Sequence, residues 1–299
     1  MGEDHGLGGS HMSSKKDLAS SRLVSKKEKI FNWIIFVLLL LGAVVMVFPL
    51  IYMIATSFMT KNQILSGTLT ILPDPILIGK YSEVLKKGQF INGIFNSLKV
   101  AIPVLIIGGF TSSLAAFGFA KMRFRGKNAL FLELATIMIP FAVVMIPQYV
   151  MFTKLGWTNT LLPLIIPGCF GNVSIIFFLR QNLIGIPDDL MEAAKLDGCG
   201  YFRTFLQIFM PLMKGALATQ LMLWFMGIWN DYLAPTIFLR SEKNWTLQVV
   251  IRSFNSYYAI QSDYALIMAA SVIAMIPTMA LFFIFQRMII ESIAISGIK

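Results

Sequence analysis

Residues 186–211 read IPDDLMEAAKLDGCGYFRTFLQIFMP, a polar stretch set between long apolar runs. Pro187 is typical of a first helical position, two aspartates follow it at the electropositive helix start, and Gly198 favours a helix end. Apolar residues recur between these signals: Leu190, Met191, Ala194 and Leu196. The stretch therefore predicts a short amphipathic helix that lies outside the membrane.

The same helix has features of a docking surface. Ala193 and Ala194 keep one side of the helix slim, so that another surface can approach closely. Glu192 offers a carboxylate to a basic or amide partner. We expect this helix to bind another protein. The alternative is that Glu192 is an ordinary solvated charge.

The chain as a whole is far more apolar than a soluble protein. Of its 299 residues, 57% are apolar and 13% are charged, and the mean hydropathy is +0.73. A soluble domain carries about 25% charged residues. Six stretches with at most one charge are long enough to cross a bilayer as helices: 30–60, 100–120, 134–153, 155–179, 215–239 and 264–286. The predicted fold is an all-α integral membrane protein with six transmembrane helices in residues 30–299.

The distribution of Lys and Arg predicts the orientation. Basic residues are dense in the N-terminal segment 1–29 and in the loop KMRFRGKN at 121–128. A third inner segment, about 180–214, contains the polar loop 184–212 and carries Arg180, Lys195, Arg203 and Lys214. Because cytoplasmic loops are enriched in Lys and Arg, we expect all three segments in the cytoplasm. An even number of spans then places the C-terminus there too. Residues 1–11 resemble an artificial leader, with a native start near Met12.

Histidine and cysteine usage excludes several kinds of chemistry. Both histidines lie in the first dozen residues, which removes Ser-His-Asp, Cys-His and histidine-ligated zinc sites from the rest of the chain. Cys169 and Cys199 lack metal-site spacing and are expected to be free thiols. We predict no catalytic and no metal-ligating residue. The net charge of +10 is concentrated in topology signals, so we predict no nucleic-acid partner.

The polar stretch resembles a known motif. The spacing of the EAA loop in permease subunits of binding-protein-dependent ABC importers is kept by six residues: Glu192, Ala193, Ala194, Gly198, Ile208 and Pro211. Met210 stands where that family usually has Leu, a nearly volume-conserving change. Other runs are similar to the smaller permease of maltose-type sugar importers: WNDYLAP at 229–235, WTL at 245–247, the inner FRGK sequence and SGIK at 296–299.

The resemblance implies a type I ABC importer permease with several partners. Such a permease pairs with a second homologous permease and binds two cytoplasmic ATPase subunits, which hold ATP and Mg. An extracytoplasmic solute-binding protein delivers an oligosaccharide or related sugar, which crosses the bacterial or archaeal cytoplasmic membrane by alternating access. The chain itself would contact membrane lipid, hold no cofactor and not be an enzyme, and it has no G-x-x-x-x-G-K-[ST] phosphate loop. The implied ATPase-docking residues are Glu192, Ala193, Ala194, Asp197 and Gly198.

Polar and aromatic residues within the predicted spans are candidates for the substrate pathway: Asn172, Ser174, Gln220, Trp224, Asn230 and Asp231. They can bind sugar hydroxyls or stack on a sugar face, but hydrogen bonding between helices is their more ordinary use. Asp231 lines the pathway or lies near the outer headgroups. Candidate contacts with the binding protein lie in an outer loop, for which a plain solvated connector is the alternative: Trp245, Tyr257 and Tyr258.

Two other functions stay open from the residues alone. Permeases for non-sugar solutes share the EAA loop, so the cargo can also be of another class. An ion-coupled secondary transporter would need ionisable groups at mid-membrane. Only Glu133 and Asp231 interrupt the later spans, and both are predicted toward span ends, which argues against ion coupling.

Overall fold

The computed structural model describes residues 26–67, 71–127, 134–255 and 262–296. The described residues fall into two compact units, which divide between Met53 and Ile54. Helix α1 (Lys26–Thr56) begins in the first unit, and the side chains of residues 30–49 are all exposed. Residues 30–49 carry no charge, and a helical stretch with apolar side chains exposed on every side is suited to contact with lipid.

The second unit is helical, and no β-strand occurs in the four described ranges. This confirms the predicted all-α class. The helices are α2 (Lys61–Leu65), α3 (Gly79–Lys86), α4 (Gly88–Lys121), α5 (Phe141–Lys154), α6 (Leu162–Cys169), α7 (Val173–Ile184), α8 (Asp189–Leu196), α9 (Tyr201–Leu212), α10 (Lys214–Trp229), α11 (Leu233–Phe238), α12 (Leu247–Ser253) and α13 (Tyr264–Ser296).

The described helices provide fewer spans than the six predicted. Four stretches are long and apolar enough to cross a bilayer: Lys29–Thr56 in α1, Gly88–Lys121 as α4, Leu162–Ile184 as α6 and α7 together, and Tyr264–Met288 in α13. A fifth is present if α9 and α10, which meet at 78°, are counted together. The predicted span 134–153 differs because Pro140 separates a helical turn at 134–137 from α5, which has 14 residues. Residues 128–133 lie outside the described ranges.

Two predicted boundaries are wrong for local reasons. Helix α4 begins at Gly88 instead of residue 100. The uncharged run used for the prediction starts after Lys99, but Lys99 is exposed and does not interrupt the helix. The predicted span 155–179 begins only at Leu162, because Gly156 and Asn159 adopt positive φ and interrupt the helix before it.

Buried apolar side chains form two cores along α4. The first core packs the beginning of α4 against α3, α12, α13 and the end of α10, and it includes Phe90, Trp229 and Leu247. The second core packs the end of α4 against α7, α8 and α9, and it includes Phe117 and Phe205. Helix α4 therefore connects the surroundings of α8 with those of α12.

Candidate functional site

Helix α8 presents two different faces. Met191 and Ala194 are buried, and Met191 belongs to the second core. Glu192, Ala193 and Leu196 are exposed on the opposite face, where Leu196 exposes 90% of its surface. We call these three residues the α8 outer face. The predicted short amphipathic helix is therefore present, with a face that is free of the chain's own core.

Details of the α8 prediction are wrong. The helix begins at Asp189, so Pro187 lies before the helix instead of at its first position. Ala194, predicted to dock together with Ala193, faces the chain's own core, because it lies three residues from Met191 on the same side of the helix. The remaining predicted docking residues are exposed: Glu192, Ala193, Asp197 and Gly198.

The end of α8 is a Schellman motif. The backbone N of Cys199 donates to the O of Ala194 at 2.8 Å, and the N of Gly198 donates to the O of Lys195 at 3.0 Å. Gly198 has φ +74°, a conformation that glycine adopts without steric cost. The motif stops the helix and fixes the direction in which the chain leaves it.

Lys121, at the end of α4, anchors the start of α8. Its side chain is 2% exposed, and its Nζ donates to the backbone O of Ile186 and to Oδ1 of Asp188, both at 2.6 Å. This contact lowers the pKa of the Asp188 carboxyl below its ordinary value. The ion pair therefore stabilises the fold at neutral pH, and this contribution is lost as the pH falls through the lowered pKa. The sequence analysis used Lys121 only as one of the basic residues that predict a cytoplasmic loop, and did not predict this contact.

Asn172 and Ser174 lie at the break between α6 and α7. Oδ1 of Asn172 accepts hydrogen bonds from the backbone N of Ser174 at 3.0 Å and of Ile175 at 3.3 Å, so the side chain caps α7. The backbone N of Asn172 donates to Oγ of Ser112 in α4 at 2.9 Å. The side chain of Ser174 is exposed. The side chain of Asn172 is therefore used within its own helix, and the contact with α4 is made by its backbone.

Trp224 lies where α4, α6 and α10 approach each other. Helix α4 has a π-helical turn at Val104–Gly108, directly after Pro103. A Cβ added at Gly108 would lie 2.2 Å from the O of Gly168 and 2.6 Å from the Trp224 ring. Trp224 therefore contributes to a close helix contact. Gln220, one turn earlier on α10, is half-buried.

Helix α10 ends in a break that carries Asn230 and Asp231. Trp229 is 1% exposed, and its Nε1 donates to the O of Ala274 in α13 at 2.9 Å. Oδ1 of Asp231 accepts from the N of Ala234 at 3.3 Å, and Asp231 lines a cavity of about 60 Å³. Asn230 is exposed and lines a larger cleft beside α13.

The end of α10 lies beside the span formed by α13. Ala274 is the eleventh residue of the span Tyr264–Met288, which has 25 residues, so it lies about 15 Å from the beginning of that span. Because Trp229 binds Ala274, the break lies beside the middle of this span. Asp231 follows the last residue of α10 by two residues, so it lies toward the end of that helix, as predicted. Helix α10 stops after 16 residues at Trp229, whereas the predicted span continues to residue 239.

The segment around Trp245 is tied to α4. Nδ2 of Asn96 donates to the backbone O of Lys243 at 2.9 Å and of Trp245 at 3.0 Å. The Trp245 side chain is half-buried against the first core. These contacts make the segment a packed element instead of a plain connector. The other two predicted binding-protein contacts lie outside the described residues: Tyr257 and Tyr258.

The six predicted pathway residues do not converge on one place. Among them, only Asn230 lines the cleft beside α13. Three polar side chains that were not predicted from the sequence line it as well: Gln248, Ser271 and Thr278. Ser271 and Thr278 are seven residues apart on α13, a spacing that places both on one face of the helix. This spacing could have indicated from the sequence that α13 has a polar face.

The structure offers no evident metal site in the ranges that it describes. No group of three or more His, Cys, Asp or Glu side chains that could hold a metal ion occurs there. Cys169 and Cys199 are free thiols, both half-buried. The free-thiol prediction is confirmed.

Comparison with known proteins covers most of the chain. Residues 108–294 match the model of a family described as binding-protein-dependent transport system inner membrane component. The chain is 30% identical over 278 residues to the arabinooligosaccharides transport system permease protein AraQ of Halalkalibacterium halodurans, which covers 92% of this chain and 99% of the relative. It is 31% identical over 252 residues to the lactose transport system permease protein LacG of Rhizobium radiobacter, with 84% and 90% covered.

The fold also matches a solved structure. A chain in the crystal structure of a bacterial ABC transporter involved in the import of the acidic polysaccharide alginate superposes with a TM-score of 0.78 at 24% identity, covering 89% of this chain and 99% of that one. The family model spans more than half of the chain, and transporters of this family work with an ATPase and a binding protein. The chain therefore belongs to the binding-protein-dependent transport system inner membrane components, as a multi-pass permease subunit of an ABC importer and not an enzyme.

Proposed function

We propose that the chain forms one half of the membrane pathway for an oligosaccharide or related sugar, together with a second homologous permease. A solute-binding protein outside the membrane delivers this cargo. The proposal is supported by two relatives whose names specify arabinooligosaccharides and lactose and which are 30% and 31% identical to this chain. Both are matched over 90% or more of their own length.

We further propose that α8 lies in the cytoplasm, with both termini on the same side. The segment 121–128 at the end of α4 supports this orientation, because it contains Lys121, Arg123, Arg125 and Lys127 and no acidic residue. Basic loops of this kind stay on the cytoplasmic side during insertion. The contact between Lys121 and Asp188 keeps α8 beside that loop.

In this arrangement, two ATPase subunits that hold ATP and Mg receive the docking helices of the two permeases, and one of these subunits binds the α8 outer face of this chain together with Asp197 and Gly198. Met191 and Lys121 tie α8 to the second core and to the end of α4. A displacement of α8 by the ATPases is therefore passed to α4 as a rigid-body motion. The pathway then alternates between inward-open and outward-open states. The observation that supports docking most directly is that α8 buries one face in this chain and leaves the other free.

Charge reversal on the α8 outer face tests the docking role. Glu192→Arg is expected to reduce co-purification of the ATPase and uptake by about tenfold or more, because charge reversal replaces an attractive contact at the docking surface with a repulsive one. The measurement is ATPase recovery and sugar uptake for the complex in proteoliposomes. Asp74→Arg is the matched control, because Asp74 is also exposed but lies far from α8 in the chain. Uptake and recovery equal to the parent in Glu192→Arg would contradict the proposal.

A panel of cargoes tests the sugar assignment. The complete complex is supplied with radiolabelled arabinotriose, lactose and glycerol 3-phosphate, with and without ATP. We expect ATP-dependent uptake of at least one of the two saccharides. Uptake of glycerol 3-phosphate alone would favour the non-sugar alternative.

A further inference from the structure

A polar cleft lies between the end of α10, α12 and α13, and no role follows for it from the docking mechanism. Its volume is about 180 Å³. Four of its lining side chains are polar: Asn230, Gln248, Ser271 and Thr278. The other three are apolar: Ile251, Ala274 and Met275. We call it the α10–α13 cleft.

The cleft lies beside the middle of a membrane span, where polar groups must be hydrogen-bonded or must line a water-filled cavity. The hydrogen bond from Trp229 to Ala274 places the end of α10 beside the middle of the span Tyr264–Met288. Residues 230–232 are not helical there. Irregular backbone at membrane depth occurs only where it is buried in protein or lines a water-filled cavity. The exposed side chain of Asn230 and the open cleft beside it fit the second case.

The polar side chains of the cleft keep unused hydrogen-bonding capacity. Nε2 of Gln248 donates to the backbone O of Trp229 and to Oδ1 of Asn230, both at 3.3 Å, while its Oε1 accepts no hydrogen bond from any residue that the structure describes. Ser271 and Thr278 donate to carbonyl groups of their own helix at 2.8 Å, which leaves the lone pairs of both hydroxyl oxygens free. The cleft is therefore rich in acceptors that suit hydroxyl donors.

The lining also limits the kind of ligand. No charged side chain lines the cleft, so a carboxylate or phosphate placed in it would be desolvated without a partner. Its volume is below the roughly 300–1,000 Å³ of pockets for drug-sized ligands, so it suits a single ring. The side chains of Ile251 and Met275 provide an apolar wall for the C–H face of such a ring.

We propose that the α10–α13 cleft is a subsite for one uncharged sugar ring of the cargo. The oxygens of Gln248, Ser271 and Thr278 accept hydrogen bonds from its hydroxyl groups, and the amide of Asn230 donates to one of its oxygens. This inference rests on the proposed sugar cargo, and it adds that the ring recognised by this chain carries no net charge.

The test uses the complete complex in proteoliposomes with arabinotriose and lactose as probes. Thr278→Val and Ser271→Ala each remove one acceptor at nearly constant volume, and Gln248→Met removes the amide. Each is expected to raise the concentration for half-maximal uptake about three- to tenfold, the effect of one lost neutral hydrogen bond. The maximal rate is expected to stay within twofold of the parent. Thr236→Val is the matched control, because Oγ1 of Thr236 also donates to a carbonyl one turn back but is exposed outside the cleft.

The outcomes separate the subsite from the proposed function. If the parent complex takes up neither saccharide but does take up glycerol 3-phosphate, the proposed function fails and the subsite fails with it. If the parent takes up a saccharide and all three cleft variants keep its half-maximal concentration within twofold, only the subsite is wrong. A fall in the maximal rate without a change in that concentration also overturns the subsite, since it indicates a structural role.

Discussion

Gly198 and Lys121 fix the two ends of α8 by different physical means. Gly198 supplies a backbone conformation that residues with a Cβ rarely adopt, and the turn it makes satisfies the last carbonyl groups of the helix. Lys121 supplies a buried charge that binds both the chain before α8 and the first acidic side chain at its start. Helix α8 is thereby held at both ends while its outer face stays exposed.

The substitution Gly198→Ala is expected to destabilise the end of α8 by about 1–2 kcal/mol, because a Cβ in the left-handed region crowds the following carbonyl. An added Cβ there would meet no other atom within 4 Å, so the cost is conformational. Thermal unfolding of the purified complex and ATPase co-purification measure the effect. Gly200→Ala is the matched control, since Gly200 has φ −69° and equal free space. Equal losses of thermal stability in the two variants would show that the positive φ of Gly198 has no special cost for a residue with a Cβ.

At the scale of elements, the contact between α4 and α6 depends on glycines on both sides. The π-helical turn of α4 lies against the end of α6, where a Cβ on Gly168 would come 2.8 Å from the side chain of Val104. Oγ1 of Thr111 donates to the O of Cys169 at 3.0 Å across the same contact. The π-helical turn of α4 is therefore packed against the end of α6, and the glycines on both sides let the two backbones approach closely.

Gly108→Ala is expected to push α4 away from α6 and to destabilise the permease by about 1–3 kcal/mol, as overpacking of a tight contact does. The physical reason is the 2.2 Å approach that a new Cβ would make to the O of Gly168. Thermal unfolding in detergent measures the change. Gly118→Ala, in the same helix, is the control, because its Cβ would meet only Sδ of Met122 at 4.0 Å. Similar melting temperatures for the two variants would contradict the close contact.

At the scale of the whole molecule, the two cores along α4 separate two kinds of site. The second core holds α8, and the first core holds the end of α10 and the segment around Trp245. Helix α4 passes through both and is suited to connect the proposed docking surface with the proposed pathway. Membership of a binding-protein-dependent ABC importer family contradicts the ion-coupled alternative.

Cysteine labelling tests the proposed orientation. In a background of Cys169→Ser and Cys199→Ser, Lys195→Cys on α8 is expected to react with an impermeant maleimide only from the cytoplasmic side. Lys243→Cys, which precedes Trp245, is expected to react only from the outer side. Both lysine positions are exposed, so reactivity reports the side and not burial. Labelling of position 195 from outside would overturn the orientation.

The sequence by itself determined the features that depend on neighbouring residues. The membrane class follows from composition, and the α8 helix and its stop at Gly198 follow from signals within about a dozen residues. Membership of the family was also readable, because the EAA loop is a local pattern. The tertiary structure decided which side of α8 Ala194 faces, that Asn172 caps α7, how deep the 229–232 break lies, and which side chains meet in the α10–α13 cleft. These depend on contacts between residues far apart in the chain, such as Trp229 with Ala274. Burial is set by such long-range packing, whereas hydropathy and helix signals are read along the chain.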